Sequence, residues 1–268
     1  MAAPVNKFKK ALQENKLQVG LWQALASPYT VEICAGSGYD WLLLDGEHAP
    51  NDVPMIADQI RAMQGGTAHA VVRPPIGETW LIKQYLDIGA QSLLIPMVES
   101  AAQAEELVRA VRYAPRGVRG VGAQLARAAQ YNRTKDYFHT ADAQICLLVQ
   151  VETVKGIAAL DAIAATDGVD GVFIGPADLA ADMGHIDNPG HPEVQAVIEA
   201  AIARILAHGK APGILIGNLA LSKRYAQLGA TFVAIGHDVG LLVNASEKLL
   251  ADFHAAAPAA PVGKVDVY

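Results

Sequence analysis

An eightfold alternation constrains the fold more than anything else in this sequence. Short apolar runs at 17–22, 41–44, 69–72, 92–95, 145–151, 169–174, 213–216 and 232–235 are each followed by a helix-length segment. Runs of this length, apolar throughout and flanked by turn residues, predict strands buried on both faces of a parallel sheet. Strand–helix alternation implies right-handed crossovers between parallel strands. Eight such units in 268 residues predict an α/β fold, a (β/α)8 TIM barrel, which commonly fills about 250 residues as one domain. An open doubly wound sheet is the runner-up. It fits less well because no strand is followed by G-x-G-x-x-G; Gly36-Ser37-Gly38 comes closest, but after a helix. The barrel is expected over 1–254 as a single domain, followed by an Ala/Pro-rich arm over 255–268.

Punctuation supports the same division. Ser27-Pro28 and Asn51-Asp52 open helices, and Gly65-Gly66 and Gly89 close them. The longest break in the rhythm is 115–142, an insertion of the size that often serves function or assembly. A hydrophobic content of 52% with 18% charged residues belongs to a compact globular chain. The net charge of -6 gives no attraction to nucleic acid or anionic membranes. No apolar stretch approaches the roughly 20 residues that span a bilayer, and the first residues lack a signal-peptide pattern. A soluble, cytoplasmic chain is expected, with Cys34 and Cys146 as buried free thiols.

A barrel brings the carboxyl ends of its strands to one face. The polar residues predicted there are Trp22 and Gln23, Asp45 and His48, Arg73, Gln150 and Glu152, and Asp178. Glu152 and Asp178 suit a hard divalent cation of the magnesium or manganese kind, which prefers oxygen ligands. They equally suit the capping of the helices that follow them, and pattern alone leaves both open. Arg73, stiffened by Pro74-Pro75, offers a fork for a carboxylate or an enolate oxygen; a surface arginine is the alternative. His48 lies three residues past Asp45, a spacing that allows an acid or base oriented by a carboxylate, or a packing histidine. Gly175-Pro176-Ala177-Asp178 starts a helix whose unpaired amides can take a carboxylate. His185, His191, His208 and His254 fall on loops or helix surfaces and receive no role, and His139 and His237 stay open. No strand-like run contains a lysine, and Lys155 comes closest, at the start of a helix. A Schiff-base aldolase needs an interior lysine, so metal-stabilised enolate chemistry fits better.

Several of these stretches together resemble the HpcH/HpaI aldolase family. They are Gly20-Leu21-Trp22, the run from Asp40 to His48, Val71-Val72-Arg73-Pro74, Gly117-Val118-Arg119-Gly120-Val121-Gly122, Gln150-Val151-Glu152-Thr153, the run from Gly168 to Gly184, and Gly213-Ile214-Leu215-Ile216. The likeness is to its metal-dependent (class II) pyruvate aldolases of the 4-hydroxy-2-oxoheptane-1,7-dioate type. It implies an aldehyde-lyase that reversibly cleaves 4-hydroxy-2-oxoacids to pyruvate, or a close analogue such as hydroxypyruvate, and an aldehyde. It implies a divalent cation (Mg2+, Mn2+ or Co2+) on Glu152 and Asp178, with no organic cofactor. Arg73 would stabilise the enolate. Amides around Gly175, Pro176, Ala177 and Asp178 would hold the pyruvate carboxylate, with Gln150 nearby. His48, supported by Asp45, would serve proton transfer, alone or through a bound water. Trp22, Ala177 and Leu215 would shape the aldehyde pocket. The resemblance also implies a homohexamer of paired protomers with a swapped last helix, in which Asp87 and part of 118–125 reach a neighbour's site. Two other readings are a CoA-thioester lyase of malyl or citryl type and a non-catalytic oligomeric binding protein. The first needs a basic, adenine-accepting surface, and the second leaves the set of His48, Arg73, Glu152 and Asp178 without purpose.

Overall fold

The computed structural model describes residues 1–255, so nearly all of the expected arm lies outside the described residues. The strands are β1 (Gln18–Gln23), β2 (Trp41–Asp45), β3 (His69–Arg73), β4 (Ser92–Ile95), β5 (Cys146–Val151), β6 (Gly171–Ile174), β7 (Ala211–Leu215) and β8 (Phe232–His237). They close in sequence order into an all-parallel barrel, β8 pairing back onto β1. The helices in chain order are α1 (Lys7–Gln13), α2 (Pro28–Ala35), α3 (Val53–Ala62), α4 (Thr79–Asp87), α5 (Ala101–Val111), α6 (Tyr137–Gln144), α7 (Val154–Ala158), α8 (Leu160–Ala165), α9 (Pro176–Asp182), α10 (Pro192–Ala207), α11 (Leu219–Gln227) and α12 (Asp238–His254). Every predicted strand is present, with ends shifted by one or two residues. The two-residue shifts are at β6, which starts at Gly171, at β7, which takes in Ala211 and Pro212, and at β8, which runs on to His237. Pro212 has no N–H, but its carbonyl still accepts from Thr231.

Local chemistry sets the helix starts. Ser27 accepts from the Thr30 amide, Asp52 from Met55 and Asn6 from Lys9, so each short polar side chain satisfies one otherwise orphaned N–H. The core divides in two. One apolar layer lies between the outside of the barrel and the helix ring; the other fills the interior with Trp22, Trp41, Leu43, Phe173 and Phe232. The Trp41 ring occupies the space where a side chain at residue 20 would stand, which is why that position is glycine. At the amino ends of the strands α1 seals the barrel, its Phe8 stacked on His69 with ring centroids 5.5 Å apart. Asn6 joins the same closure, its Nδ2 donating to Ser92 Oγ (3.0 Å) and to the carbonyls of Gln91 and Gln144.

The insertion predicted over 115–142 is ordered as two single 3₁₀ turns and α6. It packs around Arg119, a buried guanidinium between the rings of Tyr113 and Tyr137. At the other end of the chain, α12 leaves Leu241, Leu242, Val243, Leu249, Leu250 and Phe253 exposed. Both cysteines are free, Cys146 inside the barrel and Cys34 only half-buried. Among the described residues no helix is long and apolar enough to cross a membrane.

Candidate active site

The carboxyl ends of β2, β3, β5 and β6 gather most of the predicted residues. Asp45 ends β2 and Arg73 ends β3, directly paired in register. Their side chains form a bidentate, buried ion pair: Arg73 Nε donates to Asp45 Oδ1 at 2.9 Å and Nη2 to Oδ2 at 2.7 Å. Trp22 Nε1 adds a 3.1 Å bond to Asp45 Oδ2, and the guanidinium lies 5.0 Å from the centre of the Trp22 ring. Burial pushes the Asp45 carboxyl up, but the Arg73 bonds and charge, the Glu47 amide and the Trp22 indole outweigh it and hold it below the usual range. Asp45 is therefore committed to Arg73. The expectation that it orients the His48 ring is corrected: its contact with His48 is a long 3.4 Å bond from the backbone amide. His48 itself stands exposed at the rim.

Glu47, which the sequence reading passed over, is part of the cluster. Its Oε2 lies 2.8 Å from Arg73 Nη1, close enough for an ion pair though not aligned as a hydrogen bond. Burial raises its carboxyl above the usual range; Arg73 and His48 pull it down, and Asp45 and Asp178 push it up. The only signal for it in sequence was its place in Asp-Gly-Glu-His, where it read as turn.

Glu152 follows β5 and does not cap the helix after it. Thr153, not Glu152, caps α7, accepting from the Gly156 amide at 3.0 Å. Glu152 is buried, accepts from the Met97 amide at 3.0 Å, and takes a very short bond from Gln150 Nε2. Burial raises its carboxyl; the Gln150 and Met97 bonds oppose this, and the charges of Asp178 and Glu47 add to it. A side chain at residue 175 would run into the Glu152 carboxylate, so Gly175 is the seat that lets it stand against the next strand. Gly175 spends its amide on Val151 O (3.1 Å), so that amide is not free for a substrate. Beyond it, Pro176 begins α9, and Ala177 and exposed Asp178 sit in a first turn with no side-chain cap. Gln150 Oε1 is buried without a partner among the described residues. Leu215, half-buried at the end of β7, packs against the interior cluster beside Trp22 and Phe173.

Four carboxylates thus lie at the barrel mouth: Asp45 and Glu47 against the Arg73 guanidinium, and Glu152 and Asp178 with no cation paired to them among the described residues. Burial first, and then neighbouring carboxylate charge, raises Glu47 and Glu152, and carboxylates in that state are donors a hard divalent ion neutralises. The residues present fit such an ion. A second cluster able to hold a divalent cation, His185, His191 and Glu193, lies on the loop before α10 and its first turn. Asp87 is not at the mouth of its own barrel. It ends α4 near the start of β4, at the opposite face, paired with Arg119 at 3.1 Å.

The family model for HpcH/HpaI aldolase/citrate lyase matches residues 18–245. The chain belongs to the HpcH/HpaI aldolase/citrate lyase family. It is 58% identical over 268 residues, all of both chains, to a hydroxypyruvate/pyruvate aldolase of Pseudomonas aeruginosa. A 4-hydroxy-2-oxo-heptane-1,7-dioate aldolase of Escherichia coli is 54% identical over 258 residues, covering 96% of this chain and 98% of the other. The crystal structure of an HpcH/HpaI family protein from Burkholderia cenocepacia J2315 superposes with a TM-score of 0.91 at 38% identity, over 94% of this chain and 100% of that one. The HpcH/HpaI model spans all eight strands and every residue of the mouth. The chain is an enzyme of this carbon–carbon lyase class, folded as the family's eight-stranded parallel barrel.

Proposed function

We propose that this aldolase cleaves 4-hydroxy-2-oxoacids to pyruvate or hydroxypyruvate and an aldehyde, using a divalent cation held by Glu152 and Asp178. The observation that carries this reading is the excess of carboxylates over cations at the mouth, with Glu152 seated by Gly175 and spared from helix capping by Thr153. When bound there, the cation supplies Lewis acidity toward the keto oxygen, where negative charge develops as the C3–C4 bond breaks. Arg73, held rigid by Asp45 and Trp22, keeps N–H groups to spare for the same developing oxyanion. The amides of Ala177 and Asp178 bind the carboxylate of the 2-oxoacid, with Gln150 alongside; Gly175 contributes shape, not its amide.

His48 at the rim takes the proton from the 4-hydroxyl, and Glu47 is its charged neighbour. The bonding pair of C3–C4 passes to C3, which regains a proton to become the methyl of pyruvate or the hydroxymethyl of hydroxypyruvate. Trp22, Ala177 and Leu215 border the space for the aldehyde. The CoA-thioester alternative has less support, because Arg73 is the only basic residue apart from His48 among those gathered at the mouth.

The assembly is part of the proposal: a homohexamer in which Asp87 and 118–125 complete a neighbour's site. Support comes from the distance of Asp87 from its own mouth, the exposed Val118, Val121 and Leu125, and the uncovered apolar face of α12. Free thiols at Cys34 and Cys146 suit a reducing compartment such as the cytoplasm. The test is to follow pyruvate release from a panel of 4-hydroxy-2-oxoacids with and without chelator. Activity that survives thorough metal removal sinks the metal route, and borohydride trapping of a pyruvate adduct revives a lysine route. His48→Ala should slow cleavage more than pyruvate enolisation; equal losses refute its role at the 4-hydroxyl.

A further inference from the structure

The loop after α9 places two imidazoles and a carboxylate together at the start of α10. His185 Nε2 lies 3.0 Å from Glu193 Oε2, and the His185 and His191 rings stack with centroids 3.6 Å apart and planes 15° from parallel. One ligand atom from each of the three residues lies within 4.8 Å of the other two. We propose that His185, His191 and Glu193 form a second divalent-cation site, selective for a borderline ion of the zinc type and separate from the oxygen-donor site at the mouth.

Three features carry this. The donor set is two nitrogens and one oxygen, which suits zinc, cobalt or nickel, whereas the all-oxygen mouth suits magnesium or manganese. The spacing is close: tetrahedral bonds of about 2.0–2.1 Å set ligand atoms about 3.4 Å apart, so closing on an ion takes side-chain shifts on the order of 1 Å and a turn of one imidazole out of the stack. The backbone is already fixed. The His185 amide donates to Ala180 O (2.7 Å), Asn188 to His185 O (3.0 Å), His191 to Asn188 O (3.0 Å) and Gln195 to His191 O (2.9 Å). The main chain at both histidines is therefore held in place, and an ion has only side-chain rotamers left to order. His191 Nδ1 now accepts from the Glu193 amide at 3.3 Å, a long bond that an ion replaces at small cost. The positive end of α10 opposes a cation here, and the Glu193 carboxylate in its first turn offsets that.

The two histidines are half-buried and Glu193 is exposed, so solvent completes the shell. Loading ties the loop to α10. That loop continues directly from α9, which carries Asp178 and whose Asp182 holds the Val154 amide at 2.7 Å.

The test uses the full-length Glu152→Gln chain, stripped of metal and titrated with Co2+ while visible absorption is recorded. One equivalent should bind with the bands of a tetrahedral nitrogen–oxygen site, displaced by Zn2+ but not by excess Mg2+. Adding His185→Gln, whose amide still donates to Glu193 but cannot ligate, should abolish the bands; Glu193→Gln should do the same with an unchanged far-UV circular dichroism spectrum. Bands that persist in these variants, or that excess Mg2+ removes, overturn the proposal. In the wild-type background His185→Gln should leave Mg2+-supported pyruvate release unchanged. Its loss would mean that the cluster holds the reaction's own metal, which also overturns a separate second site.

Discussion

The two ends of the barrel treat charge in opposite ways. Around the plug helix at the amino ends the polar groups are paired: Lys9 lies 3.1 Å from Asp170 and donates to Ile145 O, and Lys210 donates to Val169 O. Asn6, Ser92 and His69 close a small network over the plug helix. At the carboxyl ends Arg73 serves only Asp45 and Glu47, Glu152 is buried with no cation beside it among the described residues, Gln150 Oε1 has no partner there, and Asp178 stands exposed. The first arrangement stabilises a fold, and the second is costly until a ligand completes it. A barrel places function at its strand carboxyl ends and stability at the other, and this chain does so with its charges.

Variants at the two ends should separate the two properties. The largest effect is expected from Arg73→Ala, which removes an oxyanion donor and leaves Asp45 buried without its partner. Steady-state kinetics should show a loss of roughly 10²–10³ in kcat, and denaturant unfolding a loss of about 3–5 kcal/mol. Phe8→Ala, at the plug, should cost about 3–5 kcal/mol while the folded enzyme keeps its kcat. A parallel loss of kcat with intact fold would erase the distinction between the ends.

His69 provides a pH test. Burial lowers its pKa from 6.5 to about 4, so the fold favours the neutral ring and the unfolded chain takes up the proton first. Its contribution is complete above pH 6.5 and is lost as pH falls from 6.5 toward 4, up to about 3 kcal/mol in total. Unfolding curves of wild type and His69→Gln should therefore converge on acidification through that window. Parallel curves would contradict a neutral buried ring. The smallest effect is stabilisation by Mn2+. At about 100 times Kd it should add about 2.7 kcal/mol, visible as a higher Tm, and Asp178→Asn should remove that increment without removing the fold.

Much of this was legible in the sequence because the strands are buried on both faces and read as unbroken apolar runs. Strand ends blurred where the chain enters the sheet without changing composition, as at Val169 and Asp170. Glu152 and Asp178 were visible as carboxylates at strand ends; Asp178 stands in the first turn of α9 as the pattern allowed, but the escape of Glu152 from capping was not legible. That depends on Thr153 taking the cap and on Gly175 opening a seat, both three-dimensional facts. Asp45 was placed at the right end of β2 and given the wrong partner, since proximity in sequence favoured His48 while register put Arg73 directly across the sheet. His185 and His191 carried no periodic signal. They meet because the loop folds back on itself through backbone bonds that no pattern announces.

The central claim is that the carboxylates of the mouth hold the ion on which pyruvate release depends. Metal-stripped wild type, Glu152→Gln and His185→Gln should be titrated with Mn2+ while pyruvate release from a 4-hydroxy-2-oxoacid is recorded. Recovery of activity in wild type and His185→Gln, with none in Glu152→Gln, is the predicted result. Recovery in Glu152→Gln at wild-type Mn2+ concentrations would contradict the account.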